Sequence, residues 1–159
     1  MEVGRRVRAL ADKAINYCKS GYKVPFPATT EGSVNWIKSK VGDVTVEITT
    51  VKQVMEFAEP GNINKIKLTS TEIKTSASPE EVFEFNLGDI NPLSVDYSAS
   101  GKWLRVRFET NFKNKIIKAY KGGKIQPYVY SLEIAVKDTE DARGLILALK
   151  KCAEDLKGK

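Results

Sequence analysis

The chain has 159 residues, of which 42% are hydrophobic and 29% are charged. That length corresponds to about one domain with a hydrophobic core of its own, and the composition is typical of folded proteins. The sequence contains no histidine. This absence excludes histidine-based catalytic triads, histidine metal sites and histidine acid–base catalysis.

The net charge of +6 is unevenly distributed along the chain. Residues 1–40 carry eight basic and three acidic side chains, residues 41–100 four and ten, and residues 101–159 fourteen and seven. A polarised chain can attract an acidic partner to one part of its surface, although exposed lysines also cover ordinary folded domains. No apolar run approaches the roughly 18 residues that span a bilayer, and the sequence predicts a cytoplasmic protein.

The two cysteines, Cys18 and Cys152, lie far apart in the sequence, each in a predicted helix. Two thiols cannot hold structural zinc without further ligands, and without a histidine they are poor nucleophiles. Each is therefore interpreted as a small buried apolar residue, and a disulfide between the terminal helices is the less favoured alternative. No motif predicts a cofactor, a metal site or an enzymatic activity.

The start of the chain has the period of an amphipathic helix. Apolar residues recur at spacings of three and four from Val3 to Cys18, and Ser20-Gly21 predicts its end. A proline-containing linker follows, and residues 34–41 are ambiguous between helix and strand. Residues 1–42 are therefore interpreted as an N-terminal helical extension, which could pack on the domain or mediate self-association. Residues 43–159 form the predicted domain.

Beyond Gly42 the apolar period changes to two, which predicts strands. About seven strands follow one another from roughly Lys52 to Val136, separated by turn residues. Val44, Val46 and Ile48 alternate just before them, and the regular alternation from Tyr128 to Val136 is interpreted as the last strand. Successive strands without intervening helices favour an antiparallel meander, whose apolar face requires cover by a second sheet or closure into a barrel.

The period changes once more near Asp138, and either Asp138 or Thr139 can cap a helix at its N-terminus. One apolar stripe then runs along the predicted helix, through Ala142, Leu145, Ile146, Leu149, Cys152, Ala153 and Leu156. The sequence predicts an α+β, mainly β fold: a seven-stranded antiparallel barrel or sandwich capped by this C-terminal helix.

That order of elements resembles the pleckstrin-homology-like (PH-like) superfold, over residues 52–157. The segments that carry the resemblance are residues 83–92, the strand Lys102-Trp-Leu-Arg-Val-Arg-Phe108 and the strand-to-helix junction Tyr130 to Arg143. The chain is also similar to small bacterial PH-like proteins. The resemblance implies a non-enzymatic module that binds a protein, a peptide or a phosphoinositide. The loop Glu59–Asn64, where the family would bind the lipid headgroup, has an acid and no base, which disfavours that ligand.

The resemblance also directs attention to the strand Trp103–Phe108, since peptide-binding relatives add a ligand strand to the edge of the fifth strand. If residues 111–114 join two paired strands, Arg107 lies opposite Lys118 and Arg105 opposite Tyr120. The predicted binding surface is then cationic and partly aromatic, and would suit an acidic extended peptide. It consists of Trp103, Arg105, Arg107, Lys118 and Tyr120.

Three alternatives remain open beside a protein or peptide partner. The basic face of residues 103–121 could bind nucleic acid or anionic lipid. The barrel could enclose a small ligand, although seven short strands with a helix plug favour a filled interior. The chain could also be an accessory domain of a larger assembly.

Overall fold

In a computed structural model of the protein, the structure describes residues 23–159. Within that range it contains two α-helices and nine strands. The helices are α1 (Thr30–Lys40) and α2 (Thr139–Asp155). The strands are β1 (Val44–Val46), β2 (Thr49–Phe57), β3 (Lys65–Ile73), β4 (Glu81–Asn86), β5 (Asp96–Ser100), β6 (Trp103–Glu109), β7 (Ile117–Lys121), β8 (Lys124–Val129) and β9 (Ser131–Val136).

The strands form two antiparallel sheets. The larger sheet has six strands in the order β1-β2-β3-β4-β7-β8, and the smaller has three in the order β5-β6-β9. The chain crosses from the larger sheet to the smaller after β4, returns after β6 and crosses again after β8. The mainly β class, the antiparallel pairing and the C-terminal helix are thus confirmed.

The predicted number and connection of the strands are wrong. Nine strands replace seven, and β4 pairs with β7 instead of β5, so the strands do not form one meander. The described residues form two separate sheets and no closed barrel. An apolar period of two shows that a segment is a half-buried strand but does not identify its neighbour.

Two tight changes of chain direction account for the two strands beyond the predicted seven. Glu47 has a φ of 55° in the two-residue loop between β1 and β2, so the alternation from Val44 to Ile48 ends in a tight turn that leaves Ile48 exposed. The alternation from Tyr128 to Val136 is divided at Tyr130, where the chain passes from β8 in one sheet to β9 in the other. Such a change of sheet keeps the period of two.

The hydrophobic core lies between the two sheets and α2. Val106, Phe108 and Ile134 from the smaller sheet are fully buried, as is Ile66 from the larger. The apolar stripe of α2 is buried from Ala142 to Leu156, as the sequence predicts. Of the two predicted capping residues, Asp138 forms the cap, since its side chain accepts a hydrogen bond from the Asp141 N–H at 2.8 Å.

The ambiguous segment after the linker is the helix α1, and it belongs to the same core. Its Val34 and Ile37 are each 1% exposed, and Thr30 donates a hydrogen bond to Asp155 at the end of α2. The division between residues 1–42 and 43–159 stays a prediction. The predicted helix from Val3 to Cys18 and its self-association lie outside the described residues.

Candidate functional site: the inter-sheet groove

An open groove of about 610 Å³ lies where β9 crosses the larger sheet. Its floor consists of alternate residues of β2, β3 and β4, which share one face of the larger sheet because the side-chain period of a strand is two. We call it the inter-sheet groove. Its lining includes Val51, Gln53, Leu68, Ser70, Glu72, Glu81, Phe83, Arg105, Arg107, Lys121, Val129, Ser131, Glu133 and Ala135.

The wall of the groove is the outer edge of β9, which pairs with β6 on its other side only. In an antiparallel pair, alternate residues direct both backbone polar groups toward the same neighbour. Ala135 directs its N–H and C=O away from β6, because both bond to a side chain of the larger sheet. Ser131 and Glu133 alternate with Ala135 on the same strand, so their backbone N–H and C=O groups also point away from β6 and toward the groove. The described residues provide these groups with no strand partner there.

Gln53 from β2 occupies the place of a strand partner at Ala135. Its Nε2 donates to the Ala135 carbonyl at 2.8 Å and to the Gly42 carbonyl at 2.9 Å, and its Oε1 accepts from the Ala135 N–H at 3.1 Å. The side chain is buried. One amide thus connects the two sheets and ends the open part of the β9 edge.

Three of the predicted binding residues lie together on the outer face of β6. Arg105 lies 5.0 Å from the centroid of the Trp103 ring, and its Nε is 3.8 Å from the Glu133 carboxylate. Arg107 donates to Glu109 at 3.1 Å. Arg105 and Arg107 also line the groove, so their cations border the open edge of β9.

The predicted pairing of these arginines with β7 is wrong. Arg107 lies opposite Asp96 and Glu133, and Arg105 opposite Ser98 and Ala135. The turn at residues 111–114 leads to the other sheet, so no hairpin forms there. Because β6 is the central strand of its sheet, it also has no free edge for a ligand strand; the edge strands of that sheet are β5 and β9.

Lys118 and Tyr120 lie in the larger sheet and do not line the groove. They alternate with the buried residues Ile117 and Ala119, so their side chains leave the opposite face of the sheet. There Lys118 lies opposite Glu84, in a row across four strands whose charges alternate in sign: Glu56, Lys67, Glu84 and Lys118. This row balances the charge of Lys118 and does not form one cationic surface with β6.

The groove itself has balanced charges. Its three cations, Arg105, Arg107 and Lys121, are matched by Glu72, Glu81 and Glu133 in the lining. Lys121 is 3.7 Å from the Glu81 carboxylate. The lining therefore does not favour an acidic segment over a neutral one.

Sequence reasoning did not identify the roles of Gln53, Ser131 or Glu133. Gln53 is a polar residue in register with Met55 and Phe57 on the buried face of β2, and a buried amide requires hydrogen-bond partners. That signal was present in the sequence. The open edge of β9 has no such signal, because its hydrogen-bonding groups are backbone N–H and C=O groups, which do not depend on the residue type.

Comparisons of the chain with protein-family models, curated proteins and solved structures give no match. Over residues 23–159, no cluster of three or more acidic or cysteine side chains could hold a metal ion. In the same range, neither helix combines the length and the apolar character needed to cross a membrane.

Proposed function

We propose that the protein is a non-enzymatic binding module that recognises an extended segment of a partner protein. The segment adds as a fourth strand to the open edge of β9 and covers the floor of the inter-sheet groove. The observation that supports this proposal is the pair of backbone positions Ser131 and Glu133, which have no strand partner among residues 23–159 and face a groove with apolar side chains. The cytoplasmic location predicted from the sequence is part of the same proposal.

The backbone of β9 determines the length and position of the added strand. Its hydrogen bonds form with the N–H and C=O groups of Ser131 and Glu133. Gln53 already occupies Ala135, and the corner at Tyr130 ends the strand on the other side. The paired part of the ligand is therefore a short extended stretch of a few residues.

The groove determines which side chains the ligand carries. Every second side chain of the added strand faces the groove, where Val51, Phe83 and Val129 present partly exposed apolar groups. The intervening side chains face outward beside Glu133 and Arg105, where polar residues of either sign find a partner. The expected ligand alternates apolar and polar residues and has little net charge.

A selection of peptides from a random display library tests this proposal with the full chain as bait. Glu133→Pro removes the groove-facing N–H without touching the ladder to β6, because that N–H points away from β6. Glu133→Ala retains the N–H and is the matched control. Selected peptides are expected to show the alternation, to bind wild type and Glu133→Ala comparably, and to lose at least about tenfold in affinity for Glu133→Pro.

Two results would contradict the proposal. One is a set of selected peptides without any apolar alternation, or no selection at all. The other is equal affinity for Glu133→Pro and Glu133→Ala when both variants show the circular dichroism and melting temperature of a folded protein. Filling the floor by Val51→Trp provides a second variant, which is expected to weaken binding without altering the β9 backbone.

A further inference from the structure

Two large apolar side chains project from neighbouring loops at one end of β6. Leu93 is 91% exposed and Phe112 is 93% exposed. The loops are held together, since the Asn91 N–H donates to the Glu109 carbonyl at 2.9 Å and the Ser94 hydroxyl donates to that carbonyl at 3.1 Å. We call Leu93, Phe112, Lys113 and Lys115 the loop-tip surface; none of these residues lines the inter-sheet groove.

The backbone holds Phe112 in its exposed position. Phe112 and Lys113 have φ values of 57° and 53°, in the left-handed region that residues with a side chain rarely occupy. The turn is nevertheless well bonded: the Thr110 hydroxyl donates to the Asn114 carbonyl at 2.6 Å and the Lys113 N–H donates to the Thr110 carbonyl at 3.1 Å. Folding would favour a buried Phe112 in a relaxed turn, so this geometry indicates a role outside the fold.

The charge in the Phe112 loop has one sign, whereas on the Leu93 side the exposed Asp96 lies opposite Arg107 in the β5–β6 ladder. Lys113 and Lys115 follow Phe112 in the sequence, both exposed, and no acidic residue occurs from Thr110 to Lys118. Ile116, which follows Lys115, is a further large apolar side chain that is 44% exposed. Projecting apolar residues beside lysines match the boundary between acyl chains and anionic headgroups. A protein partner is more commonly met by one continuous apolar core within a rim, whereas here two separate tips project.

We infer that the loop-tip surface docks onto an anionic lipid bilayer. Leu93 and Phe112 enter the interfacial layer, and Lys113 and Lys115 lie at the level of the headgroups. The inference is independent of the proposed peptide groove, because the two surfaces share no residue. Docking by two side chains and two charges is reversible and sensitive to salt.

Vesicle sedimentation with the full chain tests this inference. The vesicles contain phosphatidylcholine with or without about a quarter of phosphatidylglycerol, an anionic lipid. The double variant Leu93→Ser/Phe112→Asn removes both tips, and asparagine tolerates the backbone at position 112. Wild type is expected to bind the anionic vesicles only, and the double variant to lose at least about tenfold in binding.

The matched control is Ile48→Asn, which removes an apolar side chain that is 76% exposed in a different turn. It is expected to bind like wild type, while Lys113→Gln/Lys115→Gln is expected to weaken binding and reduce its dependence on salt. Absence of wild-type binding, equal binding to neutral vesicles, or an equal loss with Ile48→Asn would overturn the inference. A dimer seen by light scattering and abolished in the double variant would instead assign the surface to a second copy.

Discussion

Replacing Gln53 by alanine measures how strongly the two sheets are connected. The change removes three hydrogen bonds, with lengths of 2.8, 2.9 and 3.1 Å, from a side chain that is 7% exposed. At about 1 kcal/mol each, their loss lowers the free energy of unfolding by about 3 kcal/mol. The Ala135 N–H and C=O also lose their partner, which raises the cost toward about 5 kcal/mol where water cannot replace it.

Urea unfolding followed by tryptophan fluorescence measures this change. A loss of about 3 kcal/mol lowers the melting temperature by about 6–12 °C in a chain of this length. Gln126→Ala is the matched control, because the Gln126 amide bonds only to the nearby Lys124 carbonyl. A Gln53→Ala variant within about 1 kcal/mol of Gln126→Ala would refute the argument that the amide connects the sheets.

Gln53→Glu adds a dependence on pH with a definite sign. An ionised carboxylate can accept from the Ala135 N–H but cannot donate to either carbonyl, whereas the protonated acid retains one donor. Burial and the two carbonyls therefore raise the pKa of the introduced carboxyl in the folded state. The variant is most stable below the unfolded pKa, about 4.3, and loses about 1.4 kcal/mol per pH unit until the raised folded pKa is passed.

Three further predictions concern the helices. Gly144→Ala places a methyl group 2.4 Å from Cη2 of Trp36; thermal melting is expected to show a loss of about 1–3 kcal/mol, smaller in a Trp36→Phe background. Burial raises the pKa of the Cys152 thiol to about 12, so at pH 8, with the other cysteine replaced by serine, an aromatic disulfide reagent should label it only as the protein unfolds. A hydrogen bond from Lys151 lowers the pKa of Asp155, so the stability lost in Asp155→Asn should be greatest near pH 7 and diminish as the pH falls below about 4. An equal loss of stability from Gly144→Ala with Trp36 and with Trp36→Phe would contradict the first prediction. Immediate labelling of the folded protein would contradict the second, and a stability difference for Asp155→Asn that does not depend on pH would contradict the third.

Local signals in the sequence predicted individual elements well. The helix α2 has its cap, its stripe and its period of 3.6 within one segment, so the prediction did not depend on distant residues. The hairpin between β7 and β8 likewise has a local cause, because Gly122 and Gly123 both take positive φ. The helix agrees with the prediction because its determinants lie next to one another in the chain.

The arrangement of the strands could not be predicted in the same way. β4 pairs with β7 because Phe83 and Ala119 share the buried face, but the same pattern of alternation would permit several other neighbours. For the strand that begins at Trp103, the sequence predicted correctly which residues are buried, but the predicted neighbouring strand was wrong. The candidate groove depends on these distant pairings, and the sequence could therefore identify its arginines but not the edge beside them.

The order of the strands in the larger sheet has a consequence for how the chain folds. β1 to β4 are joined by consecutive turns, and their contacts form at a low entropic cost of loop closure. The seam between β4 and β7 instead requires the chain to bring Glu81 and Lys121 together across the whole of β5 and β6, which makes it slow. We therefore expect β4 and β7 to pair last during folding. During synthesis, the exposed side of β4 is consequently where an unfinished chain stays open longest to misassembly with its neighbours.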